Sequence, residues 1–136
     1  VTGILIDSNV ILDLVTDDPR WAGWSEGMLN HYDREGRLFI NDIVFAEVSI
    51  GFERIEECDE MMARGGFRTL PIPREALFLA GKVYLQYRRS GGNRTAPLPD
   101  FFIGAHAAVS RLPLLSRDRA RFQTYFPTVE LIAPDS

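Results

Sequence analysis

Very short and almost uninterrupted apolar runs alternate along this chain with longer stretches of helical periodicity. Such runs read as strands buried on both faces, and intervening helices are the connections that a parallel sheet requires. Gly3-Ile4-Leu5-Ile6 is the first run and ends at Asp7; Leu38-Phe39-Ile40 and Pro113-Leu114-Leu115 are two more. Phe67 to Ile72 reads as a strand that Pro71 ends or confines to an edge, and Val129-Glu130-Leu131-Ile132 as a final one. Helical spacing predicts a short helix after Ser8-Asn9, a second from about Trp21 to Glu35, and a third from Ile43 to Phe52 capped by Asn41 or Asp42. A polar fourth runs from Glu53 to Arg64, and a fifth from Pro73 to about Arg89. The sixth is headed by Asp100 and carries Gly104, Ala105, Ala107 and Ala108, small enough to pack closely on a sheet; Ser116-Arg117-Asp118 turns into the last, which ends near Phe126. The expected fold is α/β, a three-layer α/β/α sandwich with a central parallel sheet, in a single domain over residues 1–136.

Composition sets the outer limits. With 46% apolar residues and 9 Phe, 4 Tyr and 2 Trp the chain is not a disordered one, and no apolar run approaches the roughly 18 residues of a membrane span. Nothing at the N-terminal end marks secretion, so cytoplasm is the expected location. The lone Cys58 excludes an internal disulfide, and with only His31 and His106 beside it there is no zinc ligand set. Its neighbours Glu57 and Asp59 raise the thiol pKa and argue against thiolate chemistry. A net charge of −4 argues against indiscriminate binding to phosphate backbones, although Lys82 is the only lysine and the remaining basic residues are arginines, the side chain suited to bidentate phosphate contacts.

Nucleotide-binding and hydrolase signatures are absent: there is no G-x-G-x-x-G, P-loop, G-x-S-x-G or H-E-x-x-H. Four acids stand out instead. Asp7 ends the first strand, and in an open parallel sheet the carboxyl ends of the strands line the ligand crevice. Asp118 follows the Leu114-Leu115 strand by a Ser-Arg turn and is expected on the same rim. Either also suits a helix N-terminus, where a carboxylate offsets the macrodipole. Glu47 has Ile43, Val44 and Ile50 as helical neighbours, so it is expected along a buried stripe, where a carboxylate must be protonated, paired with an arginine, or matched to a cation. Asp100 follows Pro99 and fits a helix cap, but it is also the residue to which the long Ser90 to Pro99 loop delivers the chain. If the four converge, each pair at ~4 Å repels by about 4 kcal/mol at an effective dielectric of 20, which calls for a cation. All-oxygen ligation points to Mg²⁺ or Mn²⁺, and such an ion suits phosphodiester hydrolysis.

This constellation resembles the PIN-domain nucleases, and among them the VapC-type ribonuclease toxins of toxin–antitoxin pairs. Ile6-Asp7-Ser8-Asn9-Val10 is similar to the opening acidic motif and Phe45-Ala46-Glu47-Val48 to the helical glutamate. Pro99 to Ala107 carries the third acid with its small-residue helix, and Leu115-Ser116-Arg117-Asp118 the closing one. Ser8 stands where threonine is commoner but keeps the hydroxyl. The resemblance implies a Mg²⁺-dependent endoribonuclease in which Asp7, Asp100 and Asp118 hold one or two ions and Glu47 completes the catalytic cluster and positions the attacking water. It implies that Asn9 and Ser116 hydrogen-bond the acids from behind, and it also implies a homodimer and a small antitoxin that blocks the site.

Arg117, Arg119 and Arg121 are candidates for RNA phosphates, with 117 and 121 on a common helix face and Arg117 the first choice; a solvated helix surface is the competing account. Arg88, Arg89 and Arg94 flank the loop before Asp100 and equally suit helix-end cations. His106 lies six residues beyond Asp100, off its helix face, so it forms no acid–base pair with His31. Trp21 and Trp24 are core residues by default, with a partner interface as the alternative. Three other functions compete. A haloacid-dehalogenase-like phosphatase also uses an acid at the end of strand one, but Asn9 stands where its second aspartate belongs. A receiver-type signalling domain wants paired acids and a late lysine, which a single Asp7 and Lys82 do not supply. A non-catalytic PIN-like module binding RNA or a partner is disfavoured by the presence of all four acids.

Overall fold

The computed structural model describes residues 3–33, 36–91 and 98–134. Five short strands, β1 (Ile4–Ile6), β2 (Leu38–Ile40), β3 (Arg68–Thr69), β4 (Leu114–Leu115) and β5 (Leu131–Ile132), form one sheet in the order β3-β2-β1-β4-β5. Every pairing is parallel, with Leu5 opposite Phe39 on one side and Leu114 on the other. β1, β2 and β4 are buried throughout, which is why their sequences show no alternation. β3 stops before Pro71 and takes the edge, where an absent N–H costs no ladder bond.

Among the described residues seven α-helices connect and cover the strands: α1 (Ser8–Val15), α2 (Ala22–Tyr32), α3 (Asp42–Val48), α4 (Ile55–Arg64), α5 (Arg74–Arg89), α6 (Leu98–Ser110) and α7 (Arg119–Tyr125). The expected α/β/α sandwich is therefore the observed fold. None of the described helices is long and apolar enough to cross a membrane. The third helix is shorter than its apolar run suggests: after Val48 the chain tightens into a 3-10 turn over Ser49–Gly51.

Local chemistry explains two placements that matter below. Asn41 caps α3, its side-chain oxygen accepting the Val44 N–H at 2.9 Å, while its amide meets Nδ1 of the buried His106 at 3.0 Å. His106 thus ties α6 to the start of the helix that carries Glu47, and burial pushes its pKa down, favouring the neutral ring. Gly104 of α6 is small for a different reason from the one its neighbours suggest. A Cβ there would stand 2.3 Å from the ring of Phe126, so the missing side chain admits an aromatic residue at the end of α7.

Candidate metal centre

β1 is the central strand, and the chain leaving its carboxyl end turns directly into α1. Asp7 lies at that turn, buried, with its own N–H bonded to the carbonyl of Leu115 on β4 (2.9 Å). Its Oδ1 accepts the Ser8 N–H at 2.8 Å, and its Oδ2 accepts the Ser116 hydroxyl at 2.7 Å. Ser116 is fully buried and acts as a junction, since its Oγ also accepts the Asp118 N–H at 3.0 Å and the Asn9 amide at 3.4 Å. The Arg117 N–H reaches Asn9 Oδ1 at 3.5 Å. Ser116 therefore bonds Asp7 directly, whereas the hydrogen bonds of Asn9 go to Ser116 and the Arg117 N–H and not to an acid.

Glu47 comes from the neighbouring α3 and accepts the Ser8 hydroxyl at 2.8 Å on Oε1. It is half-buried, between the buried Val44 and Val48, rather than sealed in a stripe through Ile50. The 3-10 turn removes Ile50 from that face and leaves it 82% exposed, and Glu47 keeps partial contact with solvent. Asp100 is buried in the first turn of α6 and does not cap it, because the helix begins two residues earlier, at Leu98. Pro99 suits the first turn, where its missing N–H has no helical partner to lose. Asp118 caps α7, its carboxylate accepting the Arg121 N–H at 3.3 Å.

The four acids influence one another electrostatically. Burial, with the charges of Asp100 and Glu47, raises Asp7 to about 7 against the lowering effect of the Ser116 and Ser8 hydrogen bonds. Burial also raises Asp100 to about 6, helped by Glu47 and Asp118 and opposed by Arg121. Asp7, Glu47, Asp100 and Asp118 thus lie near the carboxyl ends of β1 and β4, coupled through their charges and through Ser8, Ser116 and Arg121. The donors are carboxylates backed by hydroxyl and amide groups, with His106 turned to Asn41 and Cys58 buried on α4. Among the described residues no group of three or more His, Cys, Asp and Glu stands close enough together to hold a metal ion. The donor chemistry, carboxylate oxygen without sulfur or imidazole, is that suited to a hard divalent ion such as Mg²⁺, which binds through one or two carboxylates and keeps its waters.

The arginines depart from expectation. Arg117 lies before α7, so it shares no helix face with Arg121. Its Nε donates to both oxygens of Asp13 (3.1 and 2.8 Å) and its Nη2 to Oδ1 (2.9 Å), with the guanidinium 5.7 Å over the Trp21 ring. Asp13 is itself buried and also accepts the Ser25 hydroxyl at 2.8 Å. A guanidinium held in this fork is an internal brace between α1, α2 and the β4–α7 turn, not a free phosphate ligand. Arg119 donates to the Ala133 carbonyl at 3.1 Å. Of the three arginines around Asp118 it is Arg121 that faces the acids, with Nη1 2.8 Å from Asp100 Oδ2 and Nε 3.1 Å from Asp118 Oδ2. Arg88 lies over the Tyr84 ring at 5.9 Å, Arg89 ends α5, and Arg94 lies outside the described residues. Trp21 and Trp24 meet edge to face, 6.2 Å between centroids. The sequence pointed to the Ser8 hydroxyl without pairing it with Glu47, and it gave no role to Asp13, whose signal was an acid inside the apolar Val10 to Val15 helix.

The PIN domain family model matches residues 4–126. The fold is shared with VapBC2 from Rickettsia felis bound to a DNA fragment from their promoter, at TM-score 0.75 and 17% identity over 98% of this chain and 100% of that one. VapBC-1 from nontypeable Haemophilus influenzae gives 0.73 and 17% over 97% and 98%. A toxin-antitoxin complex from Klebsiella pneumoniae gives 0.70 and 21% over 97% and 98%. A comparison with curated proteins gave no match. The family match runs from β1 to the end of α7 and takes in all four acids, and the chain belongs to the PIN domain family.

Proposed function

We propose that the chain is a metal-dependent endoribonuclease hydrolysing RNA phosphodiester bonds, and that it is the toxin of a toxin–antitoxin pair acting in the cytoplasm. The observation that carries this reading is the gathering of Asp7, Glu47, Asp100 and Asp118 from four separate segments onto one edge of the sheet, at a cost in burial and mutual repulsion that raises two of their pKa values. Asp7, Asp100 and Asp118 would hold Mg²⁺ or Mn²⁺. When bound, such an ion supplies charge neutralisation, an acidified water and a clamp for phosphate oxygens. The chain's own contribution is positional. Ser116 and the Ser8 N–H fix the carboxylate plane of Asp7, and the Ser8 hydroxyl aims Glu47, the half-exposed acid suited to accept a proton from the attacking water. Membership of the PIN family sets aside the phosphatase and receiver alternatives, and the intact acid set argues against a purely binding module.

Two features support a protein partner. The Klebsiella relative is a toxin–antitoxin complex. In this chain α1, α2 and α4 enclose a cavity of about 620 Å³ lined by Leu14, Leu29, Phe52 and Met61 with Glu26 and Glu57 among its walls, a seat for a segment bearing apolar and basic side chains. A homodimer would cover Leu77, Phe78 and Leu85, which α5 leaves exposed.

The test is cleavage of structured RNA. Activity is expected to require Mg²⁺ or Mn²⁺, to vanish with EDTA, and to fall at least about a hundredfold in Asp7→Asn or Asp100→Asn with the circular dichroism spectrum retained. Cleavage that survives both substitutions overturns the assignment.

A further inference from the structure

The acidic cluster carries a cation within the chain. Arg121 sends Nη1 to Asp100 (2.8 Å) and Nε to Asp118 (3.1 Å), so one guanidinium joins two carboxylates that reach the site on different helices. Among the described residues, the hydrogen bonds and ion pairs of its side chain go to these two acids. The acids are anchored: Asp100 is within a helix turn and its side chain is 8% exposed, and Asp118 is fastened as a helix cap. Arg121 is not. Its side chain is 41% exposed, on a helix surface from which rotation about its own bonds carries the guanidinium into water without opening a cavity.

We propose that Arg121 is a displaceable internal counter-ion, bridging Asp100 and Asp118 in the metal-free protein and giving way to the divalent ion, so that it sets how tightly the site takes its metal. The inference rests on the reading of these acids as a metal centre. A monovalent guanidinium relieves part of the repulsion among four carboxylates, whereas a divalent ion brings twice the charge to the same oxygens, and both cannot use the same lone pairs of Asp100 and Asp118 at full strength. The residue therefore lowers metal affinity by stabilising the state that the metal must displace.

The test is calorimetric titration of Mn²⁺ into the whole protein, wild type against Arg121→Gln, with thermal melting of each in EDTA and at saturating Mn²⁺. Mn²⁺ is expected to bind Arg121→Gln about tenfold more tightly. The metal-free variant is expected to melt below wild type, and the two melting temperatures to converge at saturation. Arg121→Lys, which keeps the charge but not the fork, serves as the second variant and is expected to bind Mn²⁺ with intermediate affinity. Equal or weaker Mn²⁺ binding by Arg121→Gln overturns the proposal while leaving the metal centre standing. Absence of Mn²⁺ binding in both wild type and variants overturns the metal centre itself, and the proposal with it.

Discussion

Arg117 and Arg121 lie four residues apart and each meets a buried aspartate, yet one pair is a lock and the other a placeholder. Arg117 closes a fork on Asp13, is backed by Trp21, and shares its acid with the Ser25 hydroxyl. Every lone pair that burial takes from water on Asp13 is answered by the protein. Arg121 makes single bonds to two acids, is itself more exposed, and leaves Asp100 with a pKa raised to about 6. Contact between opposite charges is therefore not what separates structure from function here. The distinction lies in whether the carboxylate's needs are met, and at Asp13 they are, while around Asp7 and Asp100 negative charge remains in excess.

The largest effect that sharpens this contrast is on pH dependence. Unfolded, Asp7 and Asp100 ionise near their ordinary value of 3.8, but folded they keep their protons to about 7 and about 6. Between those limits the folded state binds more protons, so metal-free stability falls as pH rises from about 4 to 7, by on the order of 4 kcal/mol from Asp7 alone. Urea unfolding in EDTA at successive pH values measures this, and saturating Mn²⁺ is expected to abolish the fall. A flat metal-free profile would put the two carboxylate environments on the same footing.

Next in size is a pair of substitutions with opposite signs. Asp13→Ala leaves Arg117 without its fork and is expected to cost about 3 kcal/mol. Asp7→Asn at pH 8 without metal removes a buried charge and is expected to add about 2 kcal/mol of stability. Midpoints of urea denaturation at unchanged slope compare the two directly, and loss of stability in both variants breaks the contrast. The smallest effect concerns the arginines themselves. Arg117→Lys forfeits the fork and the ring contact and is expected to cost about 1 kcal/mol. Arg121→Lys, at a half-exposed pair, is expected to stay within about 0.5 kcal/mol.

The layers and the acid cluster were legible in the sequence because they depend on short-range patterns. Leu38-Phe39-Ile40 can only be a buried strand of this kind, and Asp7 and Asp118 follow their strands so closely that topology alone brings them to one edge. What was not legible depended on a single residue of register. Ile50 was counted on the Glu47 face because the apolar run continues past Val48, whereas the backbone changes to a 3-10 turn there. Arg117 and Arg121 were assigned to one helix face by their spacing of four, whereas Asp118 caps α7 and leaves Arg117 in the turn before it. The Asp13 partnership joins residues far apart in the chain, and no local pattern encodes which of fourteen arginines an isolated acid will find.

Ser116, donating to Asp7 and receiving from Asn9 and Asp118, stitches the first turn of the protein to its last quarter. A ribosome releases the amino end first, so for most of translation β1 waits without its β4 neighbour and Asp7 without the hydroxyl that orients it. A chain that ends anywhere before β4 therefore has at most three of the five described strands and lacks the hydroxyl that orients Asp7.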